Sequence, residues 1–249
     1  MSTPTLSICV PVYNEAENLP LLHDAITKVC DPASIAFELI LVDDGSKDGS
    51  WAEIEKLVAK DPRVRGVKFA KNCGETAASD AGLRAARGQY VMTMDADLQN
   101  DPKDIPAFLA AIAQPGVDCV CGTRVAVRGK GDSFIRVASS RIANAVRNKL
   151  SDEKISDAGC TYRCFKRECV SKLKLYRGLH RFIPTLLKME GYNVVEVAVS
   201  NNPRIHGESK YGVWNRLFKS FHDLLAIRWM KTRILGYRIA TELDRSSGA

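Results

Sequence analysis

The sequence predicts an α/β protein: a mixed, mostly parallel sheet flanked by helices, with an amphipathic helical extension toward the C-terminus. Two patterns carry this expectation. Within the first 95 residues, short apolar runs rich in Ile and Val alternate three times with segments whose apolar residues recur at helical spacing. Polar clusters follow these runs, as expected where the strands of a doubly wound sheet open onto a ligand crevice. With 249 residues and 45% hydrophobic content, the chain is long enough to bury one full core.

The first strand is expected over 6–12, and Leu19, Leu22, Ile26 and Val29 predict a helix over 15–30. FELILV gives a second strand over 37–42, broken by Asp43-Asp44-Gly45-Ser46 and followed by a helix over 50–59. A third strand is expected over 64–69, and a third helix over 75–87 closed by Gly88 as its C-terminal cap. The fourth strand, 90–94, runs into Asp95. Beyond it the pattern predicts a helix over 104–113, a strand over 117–123, a Gly/Arg-rich loop over 124–132 and a basic helix over 134–150. Strands over 157–165 and 194–199, with a helix over 181–190 between them, complete the sheet. Pro11 to Tyr13, Asp43-Asp44, Asn72 and Asp95 to Asp97 should then meet at one sheet edge.

From Trp214 onward, apolar residues at 214, 217, 218, 221, 224 and 225 form a one-sided stripe, with Arg216, Lys219, His222 and Asp223 facing away. Arg228, Lys231, Arg233 and Arg238 then alternate with Trp229, Met230, Ile234, Leu235 and Tyr237, a mixture suited to a lipid interface. Packing on the protein's own flank explains such a stripe equally well. No stretch reaches the roughly 18–20 uninterrupted apolar residues of a membrane span, and the N-terminus lacks a signal-peptide pattern, so a cytosolic protein is expected. The eight cysteines show no metal-site spacing and read as reduced, mostly buried thiols.

Charge divides the chain. Residues 1–120 carry 11 Lys and Arg against 18 Asp and Glu, whereas residues 121–249 carry 25 against 11, giving the net +7. An anionic partner for the second half, or a solvated basic helix face, accounts for the asymmetry. Nucleic acid is disfavoured, because the basic residues are not interleaved with aromatics in any recognisable module.

Asp95-Ala96-Asp97 carries the first chemical signal. Two carboxylates separated by one small residue, at a strand end, can share one divalent cation, and Mg²⁺ or Mn²⁺ suits such oxygen ligands. A metal there would neutralise charge on a departing diphosphate. As an isolated pattern Asp-x-Asp is common in turns; its position after an apolar strand and before Asp101-Pro102 strengthens it. Asp43-Asp44-Gly45-Ser46 likewise has a bland reading as a turn and helix cap.

Taken together, PVYNE (11–15), DDGS (43–46), NCGETAASDAGLRAARG (72–88) and DADLQNDP (95–102) resemble family 2 glycosyltransferases of the GT-A fold. The second half is similar to the polyprenyl-phosphate branch of that family, of which dolichol-phosphate mannosyltransferase is an example. That likeness rests on Gly122-Thr123-Arg124, on Arg136 with Ser140 and Asn144, on Asp157-Ala158-Gly159, and on Arg204 through Gly207 to Tyr211. The resemblance implies a nucleoside-diphosphate-sugar donor held by Pro11, Tyr13, Glu15 and Asp43. It also implies a Mg²⁺ or Mn²⁺ site at Asp95, Asp97 and Gln99, with Arg204 and Lys210 closing over the donor phosphates. Residues 1–212 would form the catalytic domain and 213–249 an amphipathic basic tail without a membrane span.

Arg124 and Arg136 are candidates for gripping an acceptor phosphate, because a guanidinium fork matches phosphate geometry. A phosphate acceptor is already anionic and needs positioning, whereas a hydroxyl acceptor needs a general base. Asp157 fits either scheme: base for a hydroxyl, orienter of Arg124 and Arg136, or plain structural ion pair. The expected reaction is inverting transfer of one sugar to a polyprenyl phosphate at the inner membrane face. A soluble transferase acting on a hydroxyl acceptor is the alternative, and a non-catalytic nucleotide- or lipid-binding scaffold is opposed by the intact Asp95 and Asp97. Two departures stand out: Asn201 occupies a position where many relatives carry histidine, and the transmembrane helices common after this domain do not appear. Lipid access would fall to the tail, to a membrane-protein partner or to a homo-oligomer.

Overall fold

The computed structural model describes residues 3–125, 155–157, 159–203, 213–235 and 240–241, with the backbone alone over 213–221. Strands β1 (Leu6–Val12), β2 (Phe37–Asp43), β3 (Val64–Lys68) and β4 (Tyr90–Thr93) alternate with helices α1 (Asn18–Cys30), α2 (Ser50–Lys60) and α3 (Glu75–Ala85). After β4 come a 3-10 turn (Pro102–Asp104), α4 (Ile105–Ile112), β5 (Cys119–Thr123), β6 (Arg163–Lys166) and α5 (Arg167–Lys172). A second 3-10 turn (Leu179–Phe182), α6 (Ile183–Met189), β7 (Val194–Ala198) and α7 (Val213–Lys231) complete the described elements.

The seven strands lie in the order β3-β2-β1-β4-β6-β5-β7. All are parallel except β6, which runs antiparallel between β4 and β5. Alternate residues of each strand point to opposite faces, and both faces are covered. One layer gathers Ile8, Val10, Leu39 and Leu41 with Leu22, Ile26 and Phe108; the other gathers Cys9, Ile40 and Val42 with Leu83, Phe165 and Leu187. Full burial of each such aliphatic side chain contributes about 1.5–3 kcal/mol. This two-sided core explains why β1 and β2 read as unbroken apolar runs.

Several expected elements are corrected. Helix α1 starts at Asn18, not at 15, because residues 14–16 are drawn into contacts with the loop after β2. Gly88 does not cap α3, which ends at Ala85 with Ala86 already extended. Its role is close approach: the Gly88 N–H donates to Ser7 Oγ at 2.8 Å, and a Cβ there would lie 2.7 Å from the Ser7 nitrogen. The strand expected over 157–165 contracts to Arg163–Lys166, since Asp157 turns the chain by accepting the Cys160 N–H at its carbonyl and the Gly159 N–H at its carboxylate. Helix α5 was not anticipated. The loop 126–132 and the helix expected over 134–150 lie outside the described residues. All eight cysteines are free thiols, seven of them buried.

Helix α7 packs its Leu224 and Ile227 into the second core layer, and Asp223 turns inward to pair with Arg181 at 3.1 Å. That corrects the expected helix faces: Asp223 points toward the body, while Leu225 is exposed. No helix among the described residues is long and apolar enough to cross a membrane.

Candidate active site

The carboxyl ends of β1, β2 and β4 open on one edge of the sheet, and two loops there are laced together. The Asn14 N–H donates to Ser46 Oγ at 2.9 Å, the Glu15 N–H to Ser50 Oγ at 2.8 Å, and the Lys47 N–H to Asn14 Oδ1 at 2.8 Å. Asn14 adopts φ +55°, a conformation that Asn tolerates better than most residues. Gly45, at φ +69°, also lies so near the chain at Lys71 and Asn72 that a Cβ would sit 2.6 Å from the Asn72 nitrogen.

The paired acids of this loop do different work. Asp44 is saturated: its carboxylate accepts from the Cys73 N–H at 2.6 Å, the Gly74 N–H at 2.9 Å and the Asn72 side chain at 2.9 Å, pinning the entry to α3. Asp43 is fully buried, and its Oδ1 accepts the Ser46 N–H at 3.0 Å. Its Oδ2 has no hydrogen-bond partner among the described residues. A buried carboxylate oxygen left without a partner is costly unless a ligand supplies the donor.

After β4 the chain makes a tight turn through Asp95-Ala96-Asp97, with Leu98 at φ +62°. A branched aliphatic residue there stores backbone strain, which is concentrated at functional turns. The turn is stapled: Asn100 Oδ1 accepts the Asp95 N–H at 2.9 Å, Asp97 Oδ1 accepts the Gln99 N–H at 3.1 Å, and the Asn202 N–H reaches the Gln99 carbonyl at 3.1 Å. Asp95 Oδ2 accepts the Thr161 hydroxyl at 2.6 Å. Burial raises the Asp95 carboxyl above its ordinary value; the Thr161 hydrogen bond opposes this, the Asp97 charge adds to it, and Arg124 and Arg163 pull it down. Hard oxygen ligands held side by side fit a divalent cation. Among the described residues no third His, Cys, Asp or Glu joins them, a donor set that suits a metal sharing its coordination with phosphate oxygens and water.

On the far side of β4, Arg124 follows β5 and makes a forked ion pair with Asp157, at 2.7 Å and 3.2 Å. Burial works against the Arg124 charge, but the Asp157 hydrogen bonds and charge hold it above its ordinary value. Arg163 begins β6 opposite Thr93 and Cys121 and is 2% exposed. It lines a narrow cleft with Pro11, Thr93, Asp95 and Thr161.

Of the residues expected to carry function, Pro11, Tyr13, Glu15, Asp43, Asp95, Asp97 and Gln99 thus gather along the β1, β2 and β4 ends, with Arg124 and Asp157 beyond them. Glu15 is already engaged, accepting the Asn18 side chain at 2.6 Å. Arg136, Arg204 and Lys210 lie outside the described residues. Thr161, Arg163, His180 and Asn202 escaped the sequence reading, because their contacts reach across the chain and leave no local pattern. Asn201 is exposed, and its neighbour Asn202 makes the contacts to the acidic turn.

Residues 7–174 match the model of glycosyl transferase family 2. The chain belongs to that family. Among curated members, dodecaprenyl-phosphate galacturonate synthase of Rhizobium johnstonii is 35% identical over 225 residues, 89% of this chain and 66% of that protein. Undecaprenyl-phosphate 4-deoxy-4-formamido-L-arabinose transferase of Aeromonas hydrophila is 37% identical over 221 residues, covering 88% and 66%. The chain therefore spans about two thirds of the length of these family members. Solved structures agree on the fold. A mannosyltransferase of Pyrobaculum calidifontis in complex with GDP-Man and Mn²⁺ superimposes with a TM-score of 0.64 at 22% identity, covering 95% of this chain and 66% of that one. Glucosyl-3-phosphoglycerate synthase of Mycobacterium tuberculosis, with Mn²⁺, UDP and phosphoglyceric acid, gives 0.68 at 18% identity, covering 94% and 80%. The architecture is that of the GT-A glycosyltransferases.

Proposed function

We propose that this chain transfers a sugar from a nucleoside-diphosphate-sugar to a polyprenyl phosphate, inverting the anomeric carbon, at the inner face of a membrane. The observation that carries the reading is the order of groups along one sheet edge: a buried acceptor oxygen at Asp43, two carboxylates at Asp95 and Asp97, then a braced guanidinium at Arg124. The activities for which the Rhizobium and Aeromonas relatives are named support the same acceptor class.

Asp43 would receive a hydrogen bond from the nucleoside, beside Pro11, Tyr13 and Glu15. Asp95, Asp97 and Gln99 would hold Mg²⁺ or Mn²⁺, whose chemistry is to neutralise charge on the leaving diphosphate. Arg204 and Lys210 would add positive charge at the same phosphates. Arg124, with Arg136, would orient the acceptor phosphate so that one of its oxygens attacks the anomeric carbon from the face opposite the leaving group. The bond from that carbon to the diphosphate oxygen breaks, and the nucleoside diphosphate departs with the electron pair. No proton has to be removed from an anionic acceptor. Asp157 supports this scheme, because both its oxygens serve Arg124 and the neighbouring backbone N–H groups.

Residues 213–249 would provide the lipid contact. Leu225, Trp229, Ile234 and Leu235 are exposed beside the exposed Arg228 and Arg233, a composition that suits an anionic bilayer surface. Incubation with Mn²⁺, a panel of nucleotide sugars and polyprenyl phosphate should yield a lipid-linked sugar, and chelation should abolish it until Mn²⁺ or Mg²⁺ is restored. Glycosylation of a saccharide hydroxyl with every lipid acceptor refused would replace this reading with that of a hydroxyl-directed transferase.

A further inference from the structure

We propose that Glu196 and Ser156 are positioning residues of the acceptor end: through a one-way chain of hydrogen bonds they hold Asp157, and with it the Arg124 fork, against the end of β5. The inference rests on the acceptor reading above and adds the parts that set its grip.

The geometry is a pair of rungs. Along 155–157 the side chains alternate: Ile155 and Asp157 are buried, and Ser156 between them is exposed. Two adjacent residues at the end of β5 meet two adjacent residues of this segment. Thr123 Oγ1 lies 2.7 Å from Ser156 Oγ, and the Arg124 fork closes on Asp157, whose Oδ2 also receives the Arg124 N–H at 3.3 Å. A further strand secures the first rung. Glu196 stands on β7 in register with Cys121 of β5, and its carboxylate accepts the Ser156 N–H at 3.0 Å and 3.2 Å and the Ser156 hydroxyl at 2.9 Å. Beyond Asp157 the chain turns into the buried Cys160, so Asp157 sits between one anchor in the core and one on Glu196.

Proton direction follows from the chemistry of the groups. A carboxylate can only accept, so the Ser156 hydroxyl gives its single proton to Glu196. The Thr123 hydroxyl must then donate to Ser156, which leaves Thr123 to accept from the Val125 N–H at 3.5 Å. Bonds that run one way polarise one another, and a charged end strengthens them. Arg124 keeps part of its donor set uncommitted: Nε and one terminal nitrogen serve Asp157, while the other terminal nitrogen makes no hydrogen bond among the described residues. That nitrogen is the part of the fork an acceptor phosphate would meet, and its direction depends on where Asp157 stands. Glu196 and Ser156 are both exposed, so their bonds replace bonds to water and contribute little to overall stability. Their effect is therefore expected at the phosphate grip and not in the melting temperature.

The test isolates the phosphate from the lipid. Binding of undecaprenyl phosphate in detergent micelles would be compared with binding of undecaprenol in the same micelles, for the unaltered chain, Glu196→Gln and Ser156→Ala. Each variant should lower the preference for the phosphate about three- to tenfold, the size of one ordinary hydrogen bond, while Mn²⁺ affinity and melting temperature stay as they are. In an Arg124→Gln background the same two substitutions should have no further effect, because they act through Arg124. An undiminished preference in the single variants, a parallel loss of Mn²⁺ affinity, or the same loss with Arg124 already replaced would overturn the proposal. Should Arg124→Gln fail to fold, the single variants decide alone, since both replace exposed side chains. If the unaltered chain does not prefer the phosphate to the alcohol, it is the acceptor reading that falls, and the positioning roles fall with it.

Discussion

Arg124 and Asp157, 33 residues apart in sequence, meet as a forked ion pair in which Nε lies 2.7 Å from one carboxylate oxygen and a terminal nitrogen 3.2 Å from the other. The Asp157 side chain is 1% exposed and that of Arg124 16%, so the acid is the buried anchor and the guanidinium the accessible end. Removing the charge but keeping the shape, Asp157→Asn, should raise the KM for polyprenyl phosphate more than it lowers kcat. Steady-state kinetics with the acceptor varied at saturating donor reads the difference. A fall in kcat of about 10²–10⁴-fold with KM unchanged would mark Asp157 as a general base. Asp157→Ala should in addition lower stability in urea by about 1–3 kcal/mol, since it removes the acceptors of Arg124 and of the Gly159 N–H.

Asp43→Asn tests the nucleoside end. The spare Oδ2 becomes an amide nitrogen or its carbonyl partner, so a ligand N–H loses a charged acceptor, and nucleotide affinity should fall about tenfold. Acceptor KM should be unaffected. Asp44→Asn disturbs the three-donor clamp on residues 72–74 instead, and there the expected readout is a lowered melting temperature.

Burial, then the Arg181 and Arg163 charges, hold His180 neutral, and that makes stability depend on pH. Its folded value, about 3, lies below the ordinary 6.5, so the unfolded chain binds more protons between those limits. Stability from this site is therefore complete above about 6.5 and declines as the pH falls toward about 3. His180→Gln should flatten the loss of melting temperature between pH 6.5 and 5 relative to the unaltered chain. An unchanged slope in the variant would mean that His180 is not the titrating group.

For the tail, buried and exposed faces of one helix give opposite expectations. Trp229→Ala with Leu235→Ala should release the protein from anionic vesicles without moving its melting temperature, as both side chains are exposed. Ile227→Ala, fully buried, should cost about 2–5 kcal/mol and leave vesicle binding of the folded fraction intact. Vesicle flotation and thermal melts together check the pair. Flotation of the double variant at the level of the parent chain would remove the tail from the membrane contact.

The sequence exposed the first half of the fold to within a few residues. Strands β1 and β2 are buried on both faces, which writes their limits directly as apolar runs, and Asp43 and Asp95 fall at strand ends for the same reason. What it concealed depends on contacts across the chain. Gly88 looks like a helix cap by position, yet serves to let the backbone lie against Ser7. Asp223 sits on the polar side of a helical wheel, but a single ion pair with Arg181 reverses its direction. Thr161 supports Asp95 from 66 residues away, and no spacing rule announces such a bond. Asp43 and Asp44 are neighbours of the same residue type, and only the three donors crowding Asp44 separate a structural clamp from an open acceptor.

The reversed strand β6 has a consequence for how such a protein diversifies. Because β5 and β6 are antiparallel, the chain leaves the sheet after Thr123 and returns at Arg163 on the same edge, one strand away. Residues 124–162 thus connect two adjoining strand ends, and the described part of that connection is anchored to the body: Asp157 to Arg124, Thr161 to Asp95, and Cys160 and Tyr162 in the core. Lengthening it inside those anchors makes little new demand on β5 and β6, because closure entropy grows only slowly with length. Wholesale exchange is another matter, because it would remove the Thr161 hydroxyl that supports Asp95.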